Sequence, residues 1–318
     1  MTAWITRIGV LLNKMDDYQR AHRRAGFSYA VFKKYSEDET GHRAALMAYY
    51  GFLSLFPLLL VLTTLLKLLI RDDSQLRDQI IQSAVTYFPI IGRDLQQNIH
   101  GLGKTGAALV AGILVTLFGA RGVADVLRSG LDHIWQVPYA RRTGFPGSLF
   151  KSMSIIVVGG IGLVLAPIVA GYVLAFGHDG FSQSLSIILT LIVLFAVMVF
   201  VIKVGLSVTR PFRDIWVGAA VAAIGLDVLQ GLGGYILTRE LRNLDSLYGT
   251  FAIVIGLLFW IYLQTQMLLY AFELDSVRVL KLWPRSLSRP LTPADHRAFT
   301  LYADRARFHE LEENDIDT

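Results

Sequence analysis

SQSLSIILTLIVLFAVMVFVIKV, residues 182–204, decides the class of this chain. A helix that crosses a bilayer needs about 20 mostly apolar residues. This run meets that length with a single charge, Lys203, one residue from its end. Five further runs resemble it: Arg43–Ile70, Thr105–Ala120, Gly147–Phe176, Asp214–Leu237 and Gly249–Phe272. The run from Thr105 is the shortest and stops at Arg121. The pattern predicts an all-α polytopic membrane protein with six transmembrane helices.

Composition agrees. Hydrophobic residues make up 53% of the 318 residues, charged residues only 17%, and mean hydropathy is +0.49. Soluble domains carry roughly 25% charged residues. The chain has no cysteine, which excludes disulfides, thiolate metal sites and cysteine nucleophiles. Arg7 interrupts the first apolar stretch and no small-residue cleavage site follows it. The first span is therefore expected to act as an uncleaved insertion signal.

The net charge of +5 suggests nucleic acid until the charges are placed. With the N-terminus inside, the inner segments hold 21 Lys and Arg and the outer ones 6. That alternation fits the positive-inside rule. It predicts a multi-pass protein of the bacterial plasma (inner) membrane with both termini cytoplasmic and no nucleic-acid partner. Trp135, Trp216 and Trp283 fall near the inner interface, where amphipathic rings sit.

Three segments flank the spans. Residues 1–42 read as cytoplasmic interfacial amphipathic helices: Trp4 to Tyr18 at helical spacing, then a short stretch near Phe27–Phe32 that ends at Lys33-Lys34. An ordinary surface helix is the other reading. Residues 71–104 read as an external amphipathic segment between the first two spans. The division is 1–42 interfacial, 43–276 six-helix transmembrane domain, 277–318 polar cytoplasmic tail, solvated at its acidic end.

Charges inside a membrane are functional candidates by default. Lys67, Lys151, Lys203 and Glu273 lie near helix ends and can snorkel to the interface. Asp227 lies 13 residues along the fifth span, about 20 Å deep at the helical rise. Gln230, Gly231 and Gly234 share its face. The stripe either lines a pathway or is buried helix packing. Tyr262, Gln266 and Glu273 share a face of the sixth span, with Gln264 offset. They could meet Asp227 across the bundle or serve as interhelical glue. The substrate-pathway candidates are Asp227, Gln230, Gln264, Gln266, Glu273 and Tyr49. Arg121, Asp125, Arg128 and Asp132 alternate in sign at spacings of 4, 3 and 4. They predict an intrahelical ion-pair ladder that carries the second helix about three turns past its apolar core. The ladder is either a solvated rim or an inner-mouth vestibule. The seven histidines show no metal-ligand spacing, and no Walker A loop, GxSxG or HExxH is present. No metal, cofactor or enzymatic activity is expected.

Several stretches carry a resemblance: Ala44–Tyr50 running into Ser54-Leu55-Phe56-Pro57-Leu58-Leu59, then Leu131–Val137, Pro211 with Trp216–Ala220, Tyr248-Gly249-Thr250, and Phe259-Trp260-Ile261-Tyr262 through Glu273. In this order, over roughly residues 30–280, they resemble the YihY/BrkB family of bacterial inner-membrane proteins. The resemblance implies a six-helix integral membrane protein without a settled activity. The family is described as a transporter or exporter, was linked to virulence, and has carried a ribonuclease label. The leading expectation is a secondary transporter, exporter or lipid-handling translocase for an anionic or amphipathic substrate. The alternatives are a non-transporting scaffold for envelope assembly and a membrane-anchored hydrolase or ribonuclease. The expected partners are the lipid bilayer and a lipid or amphipathic small molecule, with a homo-oligomer allowed.

Overall fold

The computed structural model describes residues 13–69, 107–176, 180–244, 249–287 and 290–307. Among them all regular structure is helical, with no strand. A helical stretch over 13–21 precedes α1 (Arg23–Glu37). Then come α2 (Thr40–Leu69), α3 (Ala107–Ile134), α4 (Gly147–Phe176), α5 (Gly180–Gly205), α6 (Phe212–Leu244) and α7 (Gly249–Val279). A short α8 (Pro293–Arg305) closes the described chain.

Four stretches are long and apolar enough to cross a membrane: Val110–Ile134, Gly180–Gly205, Phe212–Gly233 and Val254–Val279. The first and third predicted spans coincide with α2 and α4. In α4 the described apolar stretch is the shorter Gly147–Gly162. The interfacial segment up to residue 12 and the external segment 71–104 lie outside the described residues.

The six long helices form a closed ring. Each packs on its neighbours in the chain, and α7 closes the ring against α2. Three residues separate α4 from α5. A three-residue link spans about 10 Å at most, far less than the roughly 40 Å length of either helix. Packed partners so joined run antiparallel. The same holds for α6 and α7, four residues apart.

The ring is packed unevenly along its length. Its main core joins Ala44 and Met47 at the start of α2 with Ala124, Leu127, Leu131 and Ile134 late in α3. Ile155 early in α4, Val201 and Ile202 late in α5, Ile215 and Ala219 early in α6, and Leu269 and Phe272 late in α7 complete it. All these positions belong to one end of the antiparallel ring, the predicted inner end. Away from it, Leu114, Phe118, Tyr172, Ile188, Val228, Leu232, Ile255 and Phe259 are exposed. Apolar side chains exposed at this density suit contact with lipid rather than water.

Helices α6 and α7 touch through glycines. A Cβ on Gly225 would meet Met267, and one on Gly233 would meet Trp260. Gly218 is the tightest at the inner end: its Cβ would lie 2.5 Å from Asp275 Oδ2 and 2.6 Å from the Ala271 carbonyl oxygen. The Gly218 N–H donates to Asp275 Oδ2 (2.7 Å), while Arg278 binds Asp275 Oδ1 (2.8 Å) and the Asp214 carbonyl (2.7 Å). Gly218→Ala gains about 1 kcal/mol of helix propensity. The clash with backbone outweighs that, with overpacking costs of about 1–3 kcal/mol. A lower thermal unfolding midpoint in detergent is expected; an unchanged or higher one would show that the two helices separate freely here.

Candidate functional site

Five helices meet at one buried cation. Lys34, on α1, is fully buried. Its ammonium has three hydrogens and three acceptors: Asp38 Oδ2 (2.6 Å), Glu273 Oε2 of α7 (2.6 Å) and the Ile134 carbonyl that ends α3 (2.8 Å). Thr40, opening α2, donates to Glu273 Oε1 (2.8 Å). Arg305 of α8 reaches Asp38 Oδ1 (2.8 Å). The Ile134 carbonyl is one of the orphan acceptors of a helix C-terminus, where a cation is favoured. Ser276 also donates to it (2.7 Å).

Burial alone would lower the Lys34 pKa, but the carboxylates of Glu273 and Asp38 outweigh it and hold it above its usual value. Burial likewise pushes Asp38 up, and the Lys34 ammonium, with Arg305 and His133, brings it below the usual carboxylate range. The lysine therefore stays charged.

The backbone around this centre is shaped to serve it. Gln136 takes φ 54° just beyond α3. The Val137 N–H bonds the Asp132 carbonyl and the Gln136 N–H bonds the His133 carbonyl, a helix stop that usually places glycine at this position. Here a side chain is needed: Gln136 Nε2 donates to both oxygens of Asp38 at 3.1 and 3.0 Å.

A second lattice docks the C-terminal segment. Asp295, third residue of α8, forms a capping box with Thr292. Its carboxylate also accepts from the Ser286 N–H (2.9 Å), the Ser286 hydroxyl (2.7 Å) and Arg285 Nε (2.7 Å). Arg285 is fully buried and reaches Glu37 of α1 through both carboxylate oxygens at 2.9 Å. Gln19 donates to the Arg285 carbonyl. Burial raises the Asp295 pKa, but the donors from Ser286, Thr292 and Arg285 dominate and hold it well below the ordinary carboxylate range.

The sequence-predicted residues separate. Glu273 does not snorkel; it is sealed against Lys34. Lys151 does not snorkel either; it donates to the Leu206 carbonyl just beyond α5 (2.6 Å). The ladder breaks up. Arg121 and Asp125 form its one intrahelical pair (3.3 Å), and Asp125 also accepts from Ser152 of α4 (2.5 Å). Arg128 turns to the Thr143 carbonyl (3.3 Å). Asp132 is fully buried and binds the N–H and hydroxyl of Ser207, each at 2.7 Å. Asp132 thus fastens the α5–α6 connection to α3 rather than sitting on a solvated rim. Tyr49 is exposed, its ring edge-on to Tyr50.

Asp227 and Gln230 are half-buried on α6. At 100° per residue Asp227 lies about 160° round the helix from Gly225, the residue against Met267 of α7. Ala223, one turn before Asp227, packs with Leu194 of α5 and Ala166 of α4, so Asp227 lies toward that side, next to exposed Ile224 and Val228. Gln266 bonds Tyr262 of its own helix (2.6 Å). No described hydrogen bond or ion pair joins Asp227 to Gln264, Gln266 or Glu273. No described residue hydrogen-bonds the Asp227 carboxylate. Among the described residues no group of three or more His, Asp or Glu is placed to hold a metal.

Sequence reasoning missed Lys34, Asp38, Arg285 and Asp295. Two signals were available. Lys34 and Asp38 stand at i,i+4. Thr292-Pro293-Ala294-Asp295 carries a helix-start pattern.

The virulence factor BrkB family model matches residues 31–289. A UPF0761 membrane protein of Alcanivorax borkumensis is 24% identical over 78% of this chain and 59% of its own length. Another, from Psychrobacter sp., is 24% identical over 83% of this chain and 50% of its own. The chain thus spans about half to three-fifths of these two relatives. A Bacillus subtilis protein named ribonuclease-like, YfkH, is 23% identical over 79% of this chain and 94% of its own. No solved structure gives a significant match.

Lys34→Met strands Asp38 and Glu273 in the interior, a loss of about 3–5 kcal/mol. Lys34→Met with Glu273→Leu is expected to recover part of that, since an apolar replacement removes a stranded charge. A double variant no more stable than the single one, by denaturant titration in detergent, would deny the pair its role. For Asp295 the folded pKa is depressed, so its contribution is whole above the unfolded value near 4 and is lost as pH falls below it. Amide protection of α8 is expected to hold from neutral pH to about 4 and then decline, with no such titration in Asp295→Asn. An equal decline in both would assign the acid sensitivity elsewhere.

Proposed function

The chain belongs to the virulence factor BrkB family, and from that premise we propose a six-span translocase of the bacterial plasma membrane that handles an amphipathic, lipid-like substrate. Both termini lie in the cytoplasm in this reading, and the Lys34 lattice closes the cytoplasmic end. Segregation of 21 basic residues against 6 supports the orientation. Membrane location itself follows from the apolar helices and from relatives named as membrane proteins.

One observation carries the function: a carboxyl at Asp227, midway along an apolar span, with no hydrogen-bond partner among the described residues. A polar group placed so costs several kcal/mol unless something compensates it. It stands just past the last core residues of α6, Ala222 and Ala223, and beside exposed Ile224 and Val228. A substrate whose polar head passes there while its apolar part stays in lipid would meet the carboxyl at the edge of the ring. That position favours an amphipathic substrate over a soluble one.

The second reading is a scaffold that transports nothing. The dense ionic bonding of the inner end favours it, because such lattices rigidify. In neither reading is the chain an enzyme. The ribonuclease-like name of the Bacillus relative predicts instead that purified chain releases nucleotides from RNA, an assay that separates the readings.

Reconstituted vesicles carrying fluorescent phospholipid test the proposal. Asp227→Asn keeps the shape and removes the charge, and is expected to slow lipid movement at least tenfold with folding intact. Equal rates in wild type and variant, or no movement above protein-free vesicles, would favour the scaffold.

A further inference from the structure

A groove of about 870 Å³ lies on the outside of the ring, where α1, the end of α7 and the start of α8 converge. Its charge is one-sided. Arg23, Arg24, Lys281 and Arg297 line it, all exposed. No described carboxylate pairs with any of the four. Arg278 also lines it, but Asp275 already neutralises that side chain. The floor is aromatic: Phe27 and Trp283 meet edge to face at 6.0 Å, and the Arg23 guanidinium lies 5.2 Å from the Trp283 ring.

The backbone holds one of these cations in place at a cost. Lys281 takes φ 55° just after α7. Its neighbour Leu282 bonds back to the Val277 carbonyl (3.1 Å), the stop that ends the helix. Glycine is the usual residue in that position, because any side chain is strained there. The side chain kept there is a lysine that lines the groove.

Four cations without a carboxylate partner, one of them (Arg297) held by the Lys281 carbonyl at 2.8 Å, lie over an aromatic floor and call for an anion with an apolar portion. The place of the groove selects its source. Arg278 is the residue before the end of the Val254–Val279 membrane stretch, and Trp283 follows within two turns. Tryptophan at such a position sits at headgroup level.

We propose that this groove binds the phosphate headgroup of an anionic membrane lipid in the inner leaflet. The proposal rests on the membrane orientation above and not on transport, so loss of lipid movement in Asp227→Asn leaves it untouched. The bound lipid would bridge α1, α7 and α8, the helices that the two ionic lattices join.

Native mass spectrometry of the full chain in neutral detergent tests it, with phosphatidylglycerol and phosphatidylcholine of the same acyl chains as probes. Each basic residue near a membrane surface is worth about fivefold in anionic-lipid affinity. Arg24→Gln with Arg297→Gln is therefore expected to weaken phosphatidylglycerol binding about 25-fold and leave phosphatidylcholine unchanged. Lys14→Gln with Lys203→Gln removes the same charge from exposed sites elsewhere and is expected to have little effect. Both substituted pairs are exposed and the one bond removed is that of Arg297 to the Lys281 carbonyl, so folding is expected to survive, and unchanged phosphatidylcholine adducts report it. Equal binding of the two lipids, or equal losses in the two variant pairs, would overturn the proposal. Displacement of phosphatidylglycerol by millimolar inorganic phosphate would assign the groove to a soluble anion instead.

Discussion

A lysine ammonium removed from water must find three acceptors or lose its proton. Lys34 finds them in Asp38, Glu273 and the terminal carbonyl of α3. An uncompensated ion in the interior costs several kcal/mol, so the three partners cannot drift apart independently. That condition fixes where α1 lies on α7 and where α3 stops. It sets the turn into α2, where Thr40 supplies the remaining bond to Glu273. It also explains the left-handed Gln136, because a glycine there could not reach Asp38. Arg305 extends the same condition to α8.

From that centre the ring divides in two. The inner end has a continuous core and carboxylates that bind backbone as well as side chains, as Asp132 binds Ser207 and Asp275 binds Gly218. Beyond it the described contacts are mostly apolar and several run through glycine, as between Gly225 and Met267 or Gly233 and Trp260. Charged hydrogen bonds demand fixed geometry, whereas small-residue contacts permit close packing without directional bonds. Movement is therefore expected in the outer part of the ring, with the inner end as its anchor. Asp227 lies at the changeover, immediately past the α6 core residues.

Much of this was legible in the residues and some was not. Apolar length placed the long helices: 147–176 came out with its predicted bounds, and 182–204 lengthened by two residues at one end and one at the other. The spacing of Arg121 and Asp132 forecast that α3 continues past its apolar core, and it runs to Ile134. The same spacing misled about bonding. Helical neighbours were within reach of one another, but Asp132 and Arg128 gained more from backbone groups on the adjoining connections. Glu273 was explicable as a charge near a helix end, and Lys34 as the end of an amphipathic surface stretch. Their meeting depends on a contact 239 residues apart in the chain, which no local period encodes. The C-terminal segment looked like a polar tail because its apolar residues are few. Its order comes from buried polar bonding through Arg285 and Asp295, which composition does not reveal.

Chemical labelling of neighbouring lysines tests the central claim most directly. Lys33 keeps 23% of its side chain exposed, whereas Lys34 keeps none. Brief acetylation of the native protein in membranes, read by peptide mass spectrometry, should modify Lys33 and the exposed Lys14 and Lys281 while leaving Lys34 unreacted until the protein unfolds. Modification of Lys34 at the rate of Lys33 in the folded protein would contradict the buried ionic centre.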